Sequence, residues 1–113
     1  MDYKEGLQPV IGPNPRILIL GSLPGDGSLR KQEYYGNPRN MFWDVMSGVL
    51  GEKAPVRYPE RVEYLKRHGI ALWDALHAAE REGSLDANIK NEEFNDIAGL
   101  LAANPSIEVI ATN

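Results

Sequence analysis

The chain has 113 residues, 42% of them hydrophobic, and a formal net charge of −4. That length gives one domain, 1–113, with a modest core. The acidic balance excludes a strongly basic, nonspecific nucleic-acid binder and leaves room only for a local basic patch at Arg30, Lys31 and Arg39. With no cysteine, disulfides, thiolate zinc sites and iron–sulfur clusters are excluded. The first residues, MDYKEGLQPVIG, contain no apolar signal core, and no run approaches membrane-spanning length. A cytoplasmic protein without membrane contact is expected.

Pro13 and Pro15 punctuate the start. Residues 16–21, RILILG, form a continuous apolar run closed by glycine, the pattern of a strand buried on both faces of a parallel sheet. A long loop follows, so that residues 21–43 read GSLPGDGSLRKQEYYGNPRNMFW. Loops longer than about 12 residues inside a small domain are functional or disordered as a rule. This one carries aromatic and amide side chains, which disordered segments lack. It reads as the floor and one wall of a pocket for a flat, polar, aromatic ligand. Residues 40–50 place Met41, Phe42, Val45, Met46, Val49 and Leu50 at helical spacing, with Asn40 at an N-cap position and Gly51 at C′. Pro59 opens a second helix that Gly69 ends.

Residues 70–76, IALWDAL, read as a second buried strand, and 77–91 as a loop with room for a short helical turn. Asn91 is placed to cap a third helix, EEFNDIAGLLAAN, stopped by Pro105, and 107–111 make a third strand. Strands alternating with helices predict βαβ units and a parallel sheet. In such sheets ligands sit beyond the carboxyl ends of the strands. Ser22 to Gly25, Trp73 to His77 and Thr112 to Asn113 all fall there. The last strand stops at Asn113 with no helix to cover it, as in a truncated copy of a longer domain.

Each candidate residue has a plainer reading beside the functional one. Tyr35 alone would be a core tyrosine; beside Gly36 in an open loop it offers a stacking face. Asn40 serves equally as an N-cap or as a group that orients water. Asp26 is the nearest carboxylate for water activation, or a turn residue between Gly25 and Gly27. Asn113 has donors and an acceptor for a base edge, or is a frayed terminus. Phe42 and Trp43 fit the apolar stripe and belong to the core. Gly21, Ser22, Leu23, Pro24 and Gly25 shape a loop whose backbone N–H groups can face an anion. Ser22 lacks the Gly-x-Ser-x-Gly setting of a hydrolase nucleophile. His68 and His77 form no metal-ligand pattern, so no metal and no cofactor are expected.

The pair GSLPG and YYGNPRNMFW resembles the uracil-DNA glycosylase superfamily, closest to its deoxyinosine (hypoxanthine) DNA glycosylase branch. GIALWDAL, GSLDANIKNEEFNDI and IEVIATN resemble that branch in order and spacing. The resemblance implies an α/β fold, a three-layer α/β/α sandwich with a parallel central sheet, here incomplete on its C-terminal side. It implies a monofunctional enzyme of base excision repair that flips a deaminated base out of DNA and hydrolyses its N-glycosidic bond; a monomer is expected. Hypoxanthine would come first and uracil second. In mismatch-specific relatives the first loop is Gly-x-Asn-Pro-Gly, and its asparagine positions water; Leu23 stands in that place. The resemblance therefore assigns water to Asn40, stacking to Tyr35 and base-edge recognition to Asn113. The family's Ser/Pro-rich loop, which pushes into DNA, would lie beyond Asn113. The competing expectation is a lesion-sensing module that flips bases without cutting. A phosphate-binding α/β domain ranks lower, because Gly-x-x-x-x-Gly-Lys-Ser/Thr is missing.

Overall fold

The computed structural model describes residues 3–81 and 86–113. Its centre is β2, Ile17–Gly21, flanked by β3, Ile70–Asp74, and β6, Val109–Thr112, both parallel to it. The register runs from Ile17 opposite Ile70 to Gly21 opposite Asp74, and from Ile17 opposite Val109 to Leu20 opposite Thr112. The carboxyl ends of the three strands therefore coincide. The parallel sheet expected from the apolar runs is present. Its edge strand β6 is more open than a doubly covered strand, with Val109 52% and Ile110 46% exposed.

A second sheet was not legible in the pattern. β1, Tyr3–Glu5, β4, Leu76–Glu80, and β5, Lys90–Phe94, pair antiparallel in the order β1-β4-β5. The sequence pattern puts 77–91 in a loop and 92–94 at the start of a helix. The helix capped by Asn91 does not form. Asn91 adopts φ 53° and lies in β5, all of whose residues are exposed. Backbone pairing with β4 overrides the helical preference of the two glutamates. The third helix, α4, begins later, at Ile97, where Asp96 accepts from the Gly99 N–H at 2.9 Å. It spans Ile97–Ala103, just before Pro105. The short helical turn foreseen in this region is a 3-10 turn, Asp86–Asn88. Gly83, Ser84 and Leu85 of the quoted GSLDANIKNEEFNDI segment lie outside the described residues.

The long loop is also interrupted. α1, Asp26–Lys31, starts at Gly25 and carries acid in its first turn and base in its last. Six residues containing Gly27 are too few to leave a periodic signature. α2, Phe42–Leu50, closes on Gly51 at φ 69°. Its buried face is Trp43 and Met46, whereas Met41, Val45 and Val49 of the expected stripe are exposed. α3, Tyr58–Arg67, has its proline in the first turn and Gly69 just beyond its end. The main core gathers Trp43, Met46, Tyr64, Leu65, Ile70 and Leu72 between α2, α3 and the parallel sheet.

The two sheets meet over a single residue. Ala75 separates β3 from β4; its N–H donates to the Gly21 carbonyl at 2.8 Å and its carbonyl accepts from Asn95 at 2.8 Å. The chain thus leaves the parallel sheet and enters the antiparallel one at the level where β2 runs out into its loop.

Candidate active site

At that junction lies a cavity of about 230 Å³. Its walls are the loop Gly21 to Gly25, then Ser28, Tyr34, Tyr35, Asn40, Asp74, Asp86 and Asn113. Eight of the nine residues singled out from sequence line it. Asp26 is the exception. It pairs with the buried Lys4 ammonium at 2.6 Å and lines a separate groove with Arg30, Lys31, Gly36 and Asn37. That ion pair holds its carboxyl below the usual range, through the Lys4 hydrogen bond first. Asp26, the second candidate for water activation, thus lies outside the cavity and ties α1 to β1.

The loop is fixed by its carbonyls. Gly21 O accepts from Ala75 N–H and Ser22 O from Leu76 N–H, at 2.8 and 3.0 Å. Leu23 O and Pro24 O both accept from the Arg81 guanidinium, and Gly25 O accepts from Leu29 N–H as α1 begins. All five carbonyls of Gly21 to Gly25 are thus engaged by protein donors. Arg81 is 1% exposed, sits directly after β4, and also meets Asp86 at 3.4 Å. Asp86 in turn accepts from Ser22 Oγ at 2.8 Å. Leu23 is buried, packed with Leu76 and Ala79. An apolar residue at that position anchors the loop and offers nothing to a water molecule.

Tyr35 adopts φ 52°, a left-handed conformation that non-glycine residues rarely take. Its ring lies flat against Phe42, with centroids 3.8 Å apart and planes at 8°, and edge-on to Trp43. Trp43 Nε1 donates to the Tyr35 carbonyl at 3.3 Å. Phe42 backs one face of the phenol but does not line the cavity. The Tyr35 hydroxyl accepts from Asn113 Nδ2 at 2.6 Å. Burial raises the Tyr35 pKa, against the lowering effect of the Asn113 bond, so the phenol stays neutral. Its neighbour Tyr34 is buried with its hydroxyl donating to Gln8 O at 2.8 Å, which makes it a wall of the cavity held by the core.

Asn40 is tied to the start of a helix and also lines the cavity. Its Oδ1 accepts from the Phe42 N–H at 2.8 Å, at the start of α2, and its own N–H donates to Asn37 O. The residue is exposed and lines the cavity. Formally the cap position falls on Met41, one residue later than expected. A side-chain oxygen locked to the helix leaves the amide plane set before any ligand arrives.

Asp74, which ends β3, was not singled out beforehand. It is 7% exposed and its Oδ2 is buried without a hydrogen-bond partner. Burial pushes its carboxyl up to about 6, with Arg81 pulling down and Asp86 pushing up. The signal was one charged residue at the carboxyl end of an apolar strand, beside the glycine that ends its neighbour. Among the described residues, no group of three or more His, Asp or Glu side chains is arranged to hold a metal ion.

The profile of the uracil DNA glycosylase superfamily matches residues 8–110. The chain belongs to this superfamily. It is 46% identical over 111 residues to a hypoxanthine DNA glycosylase of Methanosarcina barkeri, covering 97% of this chain and 70% of that protein. A hypoxanthine DNA glycosylase of Methanosarcina acetivorans is 45% identical over the same span and shares. The solution NMR structure of a candidate uracil DNA glycosylase from Methanosarcina acetivorans superposes with a TM-score of 0.89 at 44% identity, covering 99% of this chain and 70% of that one. This chain therefore has the α/β fold of the superfamily, and its parallel sheet has three strands among the described residues.

Proposed function

We propose that the chain is a DNA glycosylase that hydrolyses the N-glycosidic bond of a deaminated base flipped out of DNA. Hypoxanthine is the preferred base and uracil the second, and the reaction is the first step of base excision repair. The names of the two Methanosarcina relatives support this reading. The observation that carries it is the single cavity shared by Tyr35, Asn40, Asn113 and the Gly21–Gly25 loop. At about 230 Å³ it is smaller than typical ligand pockets of roughly 300–1,000 Å³. That size suits one heterocycle rather than a whole nucleotide, which is what base flipping delivers.

The chemistry follows from where charge develops. As the bond breaks, the sugar becomes positive and the departing base negative. The base stacks on the open face of Tyr35, whose other face rests on Phe42. Such stacking is worth about 1–3 kcal/mol per base. Asn113 reads the base edge while its Nδ2 holds the Tyr35 hydroxyl. Asn40, with its oxygen tied to α2, orients the water that attacks the sugar carbon. With their carbonyls engaged, the loop residues direct N–H groups toward the departing anion, where fixed dipoles act strongly once water is excluded. Arg30 and Lys31 in the neighbouring groove supply cations for the DNA backbone, despite the acidic net charge. One domain acting as a cytoplasmic monomer needs no cofactor for this reaction.

Duplexes carrying a single inosine, uracil or xanthine, incubated side by side and then cleaved at abasic sites with alkali, test the reading. Fastest release from inosine is expected. Tight binding of the inosine duplex with no base release would instead favour a lesion-sensing module, a reading that the relatives' names do not favour.

A further inference from the structure

Asp74 lines the cavity but has no part in the roles assigned above. It is a buried carboxyl with one oxygen wholly without a partner. Burying an anion without donors is costly, so such a group favours its neutral form. The charged and titratable groups acting on it are Arg81 after β4, Asp86 of the 3-10 turn, and the phenols of Tyr34 and Tyr35. Of these only Arg81 favours the anion; Arg81 is itself shared with Leu23 O, Pro24 O and Asp86.

Building on the glycosylase reading, we infer that Asp74 is a catalytic residue that meets the flipped base and hands it a proton as the glycosidic bond breaks. The C1′–N bond breaks and its electron pair goes to the base. The proton on the Asp74 carboxyl moves to a ring nitrogen or exocyclic oxygen of that base, which leaves neutral. Water adds its oxygen to C1′ and gives up one proton, which restores the Asp74 acid. Atoms and charge balance with water as the only co-reactant.

The direction of transfer follows from the site. An ionised carboxylate at the cavity wall would repel the departing anion, whereas the acid form stabilises it. A carboxyl pushed up to about 6 keeps a working fraction of acid near neutral pH, and general acids act best when their pKa lies close to the operating pH. A bound base displaces water from the cavity and favours the acid further.

The test is single-turnover base release from inosine duplexes, from about pH 5 to about pH 9, for the wild-type protein and Asp74→Asn. The wild-type rate is expected to be level below about pH 6 and to fall toward tenfold per unit above it. Asp74→Asn should lose about 10²-fold or more in the level region and show no such fall. Its deficit should shrink on 5-fluorouracil relative to uracil, because the better leaving base has less need of a proton. Asp74→Glu, which keeps the acid, should retain the fall at a displaced midpoint, and stands in if the asparagine variant does not fold. A folded Asp74→Asn protein with the wild-type rate or pH profile, or an equal deficit on both bases, overturns the proton-transfer role and leaves the glycosylase reading intact. A wild-type protein that releases no base from any duplex overturns both.

Discussion

Gly21 and Asp74 stand opposite each other in the β2–β3 pair, and the Asp74 carboxyl fills the space a side chain on Gly21 would need. A Cβ built on Gly21 would lie 2.5 Å from Asp74 Oδ1. Gly21 has no positive φ, so the glycine is there for room and not for backbone freedom. Gly21→Ala should therefore push the carboxyl out of place. Overpacking of this kind costs about 1–3 kcal/mol of stability. Base release should fall by much more than the modest drop in urea midpoint suggests. A folded Gly21→Ala protein with wild-type excision would show that the carboxyl position is immaterial.

Asp74 also predicts an unusual stability profile. Its folded carboxyl is raised from 3.8 to about 6. Between those values the folded state holds a proton that the unfolded state has lost. Stability from this group is complete below about pH 4 and falls as pH rises through that window. The span corresponds to something on the order of 2–3 kcal/mol. The exposed Glu52 works the other way: Arg67 and then His68 lower it to about 2, so its contribution is lost as pH falls through the acid range. Comparing Asp74→Asn with wild type cancels Glu52. The variant should gain on wild type in urea unfolding as pH rises from about 4 to about 7. A difference that does not change with pH would mean that Asp74 ionises normally.

The sheet that carries the site was legible because RILILG and IALWD are short apolar runs bounded by breakers, and a buried parallel strand has no other pattern. Tyr35, Asn40 and Asn113 stood out only through the family resemblance, since on their own they read equally as a core tyrosine, a helix cap and a frayed terminus. The antiparallel sheet was not. β4 is held by buried Leu76, Ala78 and Ala79, and the exposed β5 by backbone pairing and the polar contacts Asn91–Glu80 and Tyr3–Glu93, so neither leaves a period-two apolar stripe. Asp74 and Arg81 were missed for a related reason. Each is a single charge within or just after an apolar stretch, and what makes it matter is a partner across the fold: Gly21 for one and the Leu23 and Pro24 carbonyls for the other.

Tyr35 separates stacking from hydrogen bonding. Tyr35→Phe keeps the ring on Phe42 and removes only the acceptor for Asn113 Nδ2. Base release should then fall a few-fold, in line with one net hydrogen bond of about 0.5–1.5 kcal/mol. Tyr35→Ala removes the stacking face and should cost about 1–3 kcal/mol of transition-state binding. Single-turnover rates on inosine duplexes read both. Equal rates for the alanine and phenylalanine variants would show that the ring makes no contact with the base.

Arg81 predicts a coupling between stability and loop geometry. Its guanidinium is buried, and it serves two loop carbonyls and Asp86 at once. Only a planar fork of donors does this; an ammonium on a flexible stem has no such geometry. Arg81→Met keeps apolar volume but leaves Leu23 O and Pro24 O without their donor. Loss of hydrogen bonds to a buried charge should destabilise the fold by about 2–4 kcal/mol in urea unfolding. The loop backbone is then held by Gly21 O, Ser22 O and Gly25 O, with the Leu23 side chain still packed on Leu76 and Ala79, so the Leu23 and Pro24 peptide planes lose their fixed orientation and the rate of the chemical step falls while DNA binding is spared. Arg81→Lys should recover part of the stability and little of the rate. If Arg81→Met releases base at the wild-type rate, the carbonyl clamp has no part in aiming the loop.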